Sequence, residues 1–118
     1  MKNKLEKLEI INTVVGQGVD EVQDGDVVIM HYTGRLIEDG KVFDSSYTRN
    51  QPFQTMIGFG QVILGWEEGI LGMKVGGKRT LNIPSFMAYG EKGAGDSIPP
   101  NADLTFDVEL VAAFRPLK

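Results

Sequence analysis

The residues of this chain that could do chemistry form three patterns. They are the adjacent carboxylates Glu67-Glu68, the single histidine His31, and Gly72-Met-Lys-Val-Gly-Gly-Lys78, which fits the first part of a phosphate-binding G-x-x-x-x-G-K loop. Each reads better as structure. Neighbouring residues on a helix point about 100° apart, so Glu67 and Glu68 cannot flank one bond as two cooperating carboxyl groups must. They read as the solvated side of a helix, near an end where acidic residues are favoured. Lys78 is followed by Arg79 where a phosphate loop needs Ser or Thr, and the expected order around it is helix, turn, strand rather than strand, loop, helix. His31 lies in an apolar run with no nucleophile and acid arranged beside it, and reads as a hydrogen-bonded structural histidine.

What stands out instead is the spread of aromatic side chains: Tyr32, Phe43 beside Asp44, Phe53 after Pro52, Trp66 fenced by glycines, Tyr89 and Phe106. Two readings of them stay open on residue type alone. They can be ordinary core, or the wall of a concave apolar pocket with a few polar handles, tyrosine hydroxyls and Asp44, which is how small-ligand sites are built.

Composition narrows the classes. A chain of 118 residues fits one domain that buries a real core, and 42% hydrophobic with 24% charged residues argues against wholesale disorder. With no cysteine there is no disulfide framework, thiolate nucleophile or cysteine zinc site, and one histidine rules out a histidine-rich metal centre. A net charge of -4 works against nucleic-acid partners, whose binding depends on clustered Lys and Arg. The N-terminal Met1-Lys-Asn-Lys-Leu-Glu-Lys-Leu-Glu-Ile10 lacks the apolar run of a signal peptide or membrane anchor, so a cytoplasmic location with no membrane contact is the expectation. Residues 1–7 are expected to form a poorly ordered extension.

These residues must be positioned by short elements, because turn signals recur throughout and fifteen glycines imply many tight connections. Leu104-Thr-Phe-Asp-Val-Glu-Leu110 alternates strictly and predicts a strand with Leu104, Phe106, Val108 and Leu110 inward. Val27 to Thr33, Leu8 to Val15 and Lys78 to Ile83 read as further strands, with Asp39-Gly40 at a hairpin tip. Ile63, Trp66, Ile70 and Met73 carry the helical spacing, yet Gly65, Gly69 and Gly72 each lower intrinsic helicity by about 1 kcal/mol relative to Ala. A helix that weak must be held by packing. The implied fold class is α+β, an antiparallel sheet curled around one short helix.

Taken together, "HYTGRLIEDGKVFDSS", "QPF", "QVILGWEEGILGMKVGGKR", "AYG" and "IPPNADLTFDVELV" resemble, in order and spacing, the FKBP-type peptidyl-prolyl cis/trans isomerases, immunophilins that bind macrolides such as tacrolimus and rapamycin. The resemblance runs from about Leu8 to Phe114 and implies a five- or six-stranded antiparallel sheet around one short helix, a single FKBP-like domain over residues 1–118. It carries the family's ligand pocket onto Tyr32, Phe43, Asp44, Phe53, Val62, Ile63, Trp66, Tyr89, Ile98 and Phe106. Among these it implies catalytic roles for Tyr89, Asp44, Trp66, Phe43 and Phe106. The tryptophan is the platform under the substrate proline ring, the Ile63 N–H and the Tyr89 hydroxyl bind ligand carbonyls, and Asp44 is a polar handle. The chain departs from the pattern at Thr55, where many members carry an apolar or aromatic residue, and in the polar loop "EKGAGDS", both of which bear on macrolide affinity and partner choice. The run from Tyr89 to Pro99 is too short for the chaperone domain that some relatives insert there.

The function so implied is rotation about Xaa-Pro bonds in peptides and folding proteins, without covalent chemistry, cofactor or metal. Proline-containing chains and macrolides are the expected partners, and a monomer the expected state. A binding module or folding chaperone that holds proline without turning it over is the alternative.

Overall fold

The computed structural model describes residues 4–18 and 20–116. Six strands, β1 (Glu9–Val14), β2 (Val27–Leu36), β3 (Val42–Ser45), β4 (Phe53–Met56), β5 (Lys78–Ile83) and β6 (Leu104–Phe114), form one antiparallel sheet, with a single α-helix, α1 (Leu64–Gly69), between β4 and β5. Two 3-10 turns, Ser85–Met87 and Gly90–Lys92, lie between β5 and β6. The expected α+β architecture is the observed one. Of the N-terminal extension, residues 1–3 lie outside the described residues, while the Leu5 N–H donates to Asp103 Oδ2 at 2.8 Å.

The sheet order is β1-β5-β6-β2-β3, and β4 also pairs with β2. β6 therefore lies centrally, paired with β2 from Leu36↔Leu104 to Val27↔Phe114 and with β5 from Ile83↔Leu104 to Lys78↔Glu109. The other side of β2 is shared. β4 takes its first half, Val27↔Met56 to Met30↔Phe53, and β3 its second, Thr33↔Ser45 to Arg35↔Val42. Between them the ladder passes to Ser46, whose N–H donates to the Tyr32 carbonyl at 3.0 Å and whose Oγ accepts from the Tyr32 N–H at 2.8 Å. Ser46 Oγ also shares a hydrogen bond of 2.8 Å with His31 Nδ1, and the His31 ring stacks on Tyr47 at 4.5 Å. His31 is thus the structural histidine that its setting predicts.

The core lies between the sheet's concave face and α1, and includes Val28, Met30, Leu81, Ile83, Leu104, Phe106, Val108, Leu110, Trp66, Ile70 and Met73. The inward set predicted for β6 is the buried one, and β2 alternates more regularly than its sequence suggests. The helix is shorter than the apolar spacing predicts. Ile63 is its N-cap and Ile70 its C-cap, and Met73 reaches the core from the following turn, where its N–H donates to the Ile70 carbonyl. The glycines that weaken α1 explain how it is held. A Cβ on Gly65 would stand 2.5 Å from Ile83 Cγ2 and one on Gly69 would stand 2.8 Å from Leu81 Cδ1, so two bare backbone positions let the helix lie directly on β5. Arg79, from β5, then donates to the carbonyls of Gly69 (2.8 Å) and Leu71 (2.6 Å), satisfying acceptors left open at the helix end. Lys78 and Arg79 accordingly begin a strand, after a turn closed by the Gly77 N–H on the Lys74 carbonyl, and form no phosphate cradle.

Candidate active site

Strands alternate their side chains and the sheet curls, so residues distant in sequence converge on its concave face at one end of α1. β2 supplies Tyr32, β3 Phe43 and Asp44, β4 Phe53, the turn before α1 Gln61, Val62 and Ile63, the helix Trp66, the segment after β5 Tyr89, and β6 Phe106. Together they line a cavity of about 420 Å³. That lies within the range of small-ligand pockets, roughly 300–1,000 Å³.

Trp66 is buried and ringed by aromatic edges. Its centroid is 5.0 Å from Tyr32, 5.2 Å from Phe106 and 5.7 Å from Phe53, with interplanar angles of 81°, 83° and 75°. Edge-to-face contacts of this kind place the positive rim of one ring on the negative face of another and hold both orientations. The indole N–H is buried without a protein acceptor among the described residues. Phe43 and Phe106 meet the same way at 5.6 Å and 88°. Gly34 makes room for that pair, since a Cβ there would stand 2.7 Å from ring carbons of both.

The polar handles adjoin these rings. The Tyr32 hydroxyl donates to Asp44 Oδ2 at 2.6 Å, and Arg49 donates to Asp44 Oδ1 and, at 2.9 Å, to the Tyr32 hydroxyl. The Arg49 guanidinium also lies 5.7 Å from the centre of the Tyr32 ring. Burial works to raise the Asp44 carboxyl, but the hydrogen bonds from Tyr32 and Arg49 outweigh it and hold the group below the ordinary carboxylate value. Burial raises the Tyr32 phenol, helped by its bond to Asp44 and opposed by Arg49. Burial, with a push from the Asp44 charge, raises the Tyr89 phenol too. Besides the indole N–H, two further donors are left unused. Neither the Tyr89 hydroxyl nor the Ile63 N–H donates to any group among the described residues.

Nine of the ten pocket positions carried over from the resemblance therefore line one cavity. The tenth, Ile98, is buried in the adjoining core, where it and Ala94 exchange backbone hydrogen bonds of 2.8 and 3.1 Å. Sequence reading missed Gln61, Gly34, Arg49 and Ser46. Only Gly34 carried a signal, a glycine directly after a predicted strand. It also misplaced Glu67. Glu68 is exposed as expected, but Glu67 Oε2 accepts the N–H groups of Gly58 (3.0 Å) and Gly60 (2.9 Å), fastening the turn that leads into the pocket wall. Its turn partners lie seven and nine residues upstream, outside the spacing that helical periodicity describes. Thr55, the departure from the family pattern, is buried, and its hydroxyl donates to Gln61 Oε1 at 3.3 Å. Among the described residues no three His, Cys, Asp or Glu side chains gather as metal ligands, and no helix is long and apolar enough to cross a membrane.

The family profile described as FKBP-type peptidyl-prolyl cis-trans isomerase matches residues 18–111. The chain belongs to that family. It is 66% identical over 91 residues to an FK506-binding protein 2 of Candida glabrata, covering 77% of this chain and 67% of the relative. To the peptidyl-prolyl cis-trans isomerase FPR2 of Saccharomyces cerevisiae it is 60% identical over 87 residues, 74% of this chain and 64% of the relative, so it spans about two thirds of the length of these two FKBPs. Among solved structures, the crystal structure of AtFKBP13 superposes with a TM-score of 0.82 at 46% identity, covering 89% of this chain and 91% of the other. The FKBP-type isomerase activity read from the sequence stands on these relatives.

Proposed function

We propose that this FKBP turns over Xaa-Pro bonds by desolvating the amide and holding its twisted form through two hydrogen bonds, with the aromatic box as the seat of the proline ring. The observation that carries the reading is a cavity walled by Trp66, Phe53, Phe43 and Phe106 beside two unused donors, the Ile63 N–H and the Tyr89 hydroxyl.

The barrier to amide rotation is about 18–20 kcal/mol, because the C–N bond must lose its double-bond character. No bond breaks and no proton needs to leave. The planar amide is the more dipolar form, and water stabilises it more than the twisted one, so an apolar, water-poor wall favours rotation. Each tenfold acceleration requires about 1.4 kcal/mol of differential stabilisation. In this reading Trp66 is the floor under the proline ring, Phe43 and Phe106 confine it, and the free donors take substrate carbonyls. Asp44, kept ionised by Arg49 and Tyr32, is the polar handle at the rim. Macrolides that present an apolar ring flanked by carbonyls would meet the same donors. Every part of this site comes from one chain, so a monomer suffices.

The deciding experiment follows exchange between the cis and trans resonances of a short Leu-Pro peptide with catalytic amounts of protein. Accelerated exchange, inhibited by tacrolimus, is expected. Measurable peptide binding with unchanged exchange would make the chain a holding module instead.

A further inference from the structure

The turn between β4 and α1 presents Phe59 to solvent at its tip, 63% exposed, between Gly58 and Gly60. Exposure of one phenyl ring means little by itself, since folded proteins leave much apolar surface in water. The backbone that carries this ring is held unusually firmly. Both flanking N–H groups donate to the same oxygen of Glu67, at 3.0 and 2.9 Å, and both glycines occupy the left-handed region, at φ of 101° and 71°. The base of the turn is tied as well. The Ile57 N–H donates to the Asp26 carbonyl at 2.9 Å, and the Gly25 N–H to the Ile57 carbonyl at 2.7 Å. A Cβ on Gly58 would stand 3.0 Å from Asp24. The second Glu67 oxygen is buried without a protein partner among the described residues. A glutamate with no other duty would swing that oxygen into water, so the two amide bonds of the turn must outweigh the loss.

Phe59 also stands two residues before Gln61, which with Val62 and Ile63 lines the cavity. Two residues of chain span at most about 7 Å, so the Phe59 backbone lies within that reach of the cavity wall. A peptide whose proline is seated on Trp66 and whose carbonyl reaches the Ile63 N–H must leave the cavity past this wall. We infer that Phe59 is a specificity-determining residue, giving a rigid apolar contact to a side chain within two residues of the substrate proline, and that Glu67 is the positioning residue that holds it there. A preformed contact selects among substrates because little ordering is left to be done on binding.

The inference rests on the isomerase reading, and the experiment separates the two. kcat/KM is measured for peptides in which Ser, Lys, Leu or Phe occupies each position from two before to two after proline. The measurement is made with the unaltered chain and with Phe59→Ser, Phe59→Leu and Glu67→Ala. At one or more positions the unaltered chain should prefer Leu or Phe over Ser by about three- to tenfold, as partial burial of an apolar side chain provides. Phe59→Ser should lose that preference while its rate on the all-Ser peptide stays the same, and Phe59→Leu should restore most of it. Glu67→Ala, with Phe59 still present, should lose it too, through KM rather than kcat. Preferences unchanged within twofold in Phe59→Ser at every position would overturn the inference. So would a Phe59 effect confined to self-association in sedimentation. No turnover of any peptide by the unaltered chain would instead overturn the isomerase reading.

Discussion

At the residue scale, the pocket contains acids and phenols but nothing that changes charge under ordinary conditions. Asp44 is held below its usual value by Tyr32 and Arg49 against burial, while Tyr32 and Tyr89 are raised by burial. The lowered carboxyl stays ionised, and the raised phenols stay protonated, from about pH 5 to about pH 9. kcat/KM should therefore be flat across that range. A bell-shaped profile would show that turnover depends on the charge state of an acid and a base, against this reading. Trp66→Ala and Phe106→Ala should each weaken binding of a proline peptide about tenfold or more, read by titration after thermal melting has shown both variants folded. Tyr89→Phe removes one donor of two and should lower turnover about two- to tenfold. Complete loss would mean that rotation depends on this one hydroxyl rather than on several contributions.

At the element scale, α1 inverts the usual expectation for glycine. Gly65→Ala should gain about 1 kcal/mol of helix propensity, yet its new Cβ meets Ile83 at 2.5 Å. Overpacking typically costs about 1–3 kcal/mol, so urea denaturation should show a net loss of stability and, since Trp66 follows directly, weaker peptide binding. An unchanged or raised midpoint would mean that the helix can lift from β5 without consequence. The same elements show what a sequence reveals and what it hides. β5 is legible to the residue and β6 in its inward set, because one-sided burial imprints alternation on the chain. β3 and β4 carry only four residues each, too few to establish a period, and owe their pairing to the long β2. The pocket's aromatic residues are legible as types, and the family resemblance gathers them. Arg49, Ser46 and Glu67 are not, because each acts through hydrogen bonds to residues outside its own periodic neighbourhood, and such bonds leave no periodic trace.

At the scale of the whole molecule, the C-terminal end of the described chain is tied back to the residue before β2. Asp26 is buried, accepts the Gln23 N–H at 3.0 Å, and takes a two-pronged pair from Arg115 at 2.8 and 3.1 Å. The Arg115 hydrogen bond holds the carboxyl below its ordinary value of 3.8, against burial. A group depressed on folding stabilises the native state above its unfolded value, and that contribution is lost as pH falls through the folded one. Asp26→Asn should cost about 1–3 kcal/mol at neutral pH. The gap between variant and unaltered chain should narrow as pH falls below the ordinary value of 3.8 and through the lowered one, and a gap that did not narrow in urea titrations would assign the loss to packing instead.

The central place of β6 also bears on how the protein is made. This strand lies between β5 and β2 and brings Phe106 to the pocket, yet it occupies residues 104–114. Until those residues leave the ribosome, β2 and β5 lack the neighbour that joins them, and the cavity lacks a wall. A chain stopped at Asp103 should accordingly give a collapsed amide spectrum rather than that of a smaller folded sheet. Folding must wait until β6 has been made, and it then closes contacts of long sequence separation, which are slow to form. A catalyst of slow prolyl rotation is itself assembled through slow, long-range contacts that wait on its sixth strand.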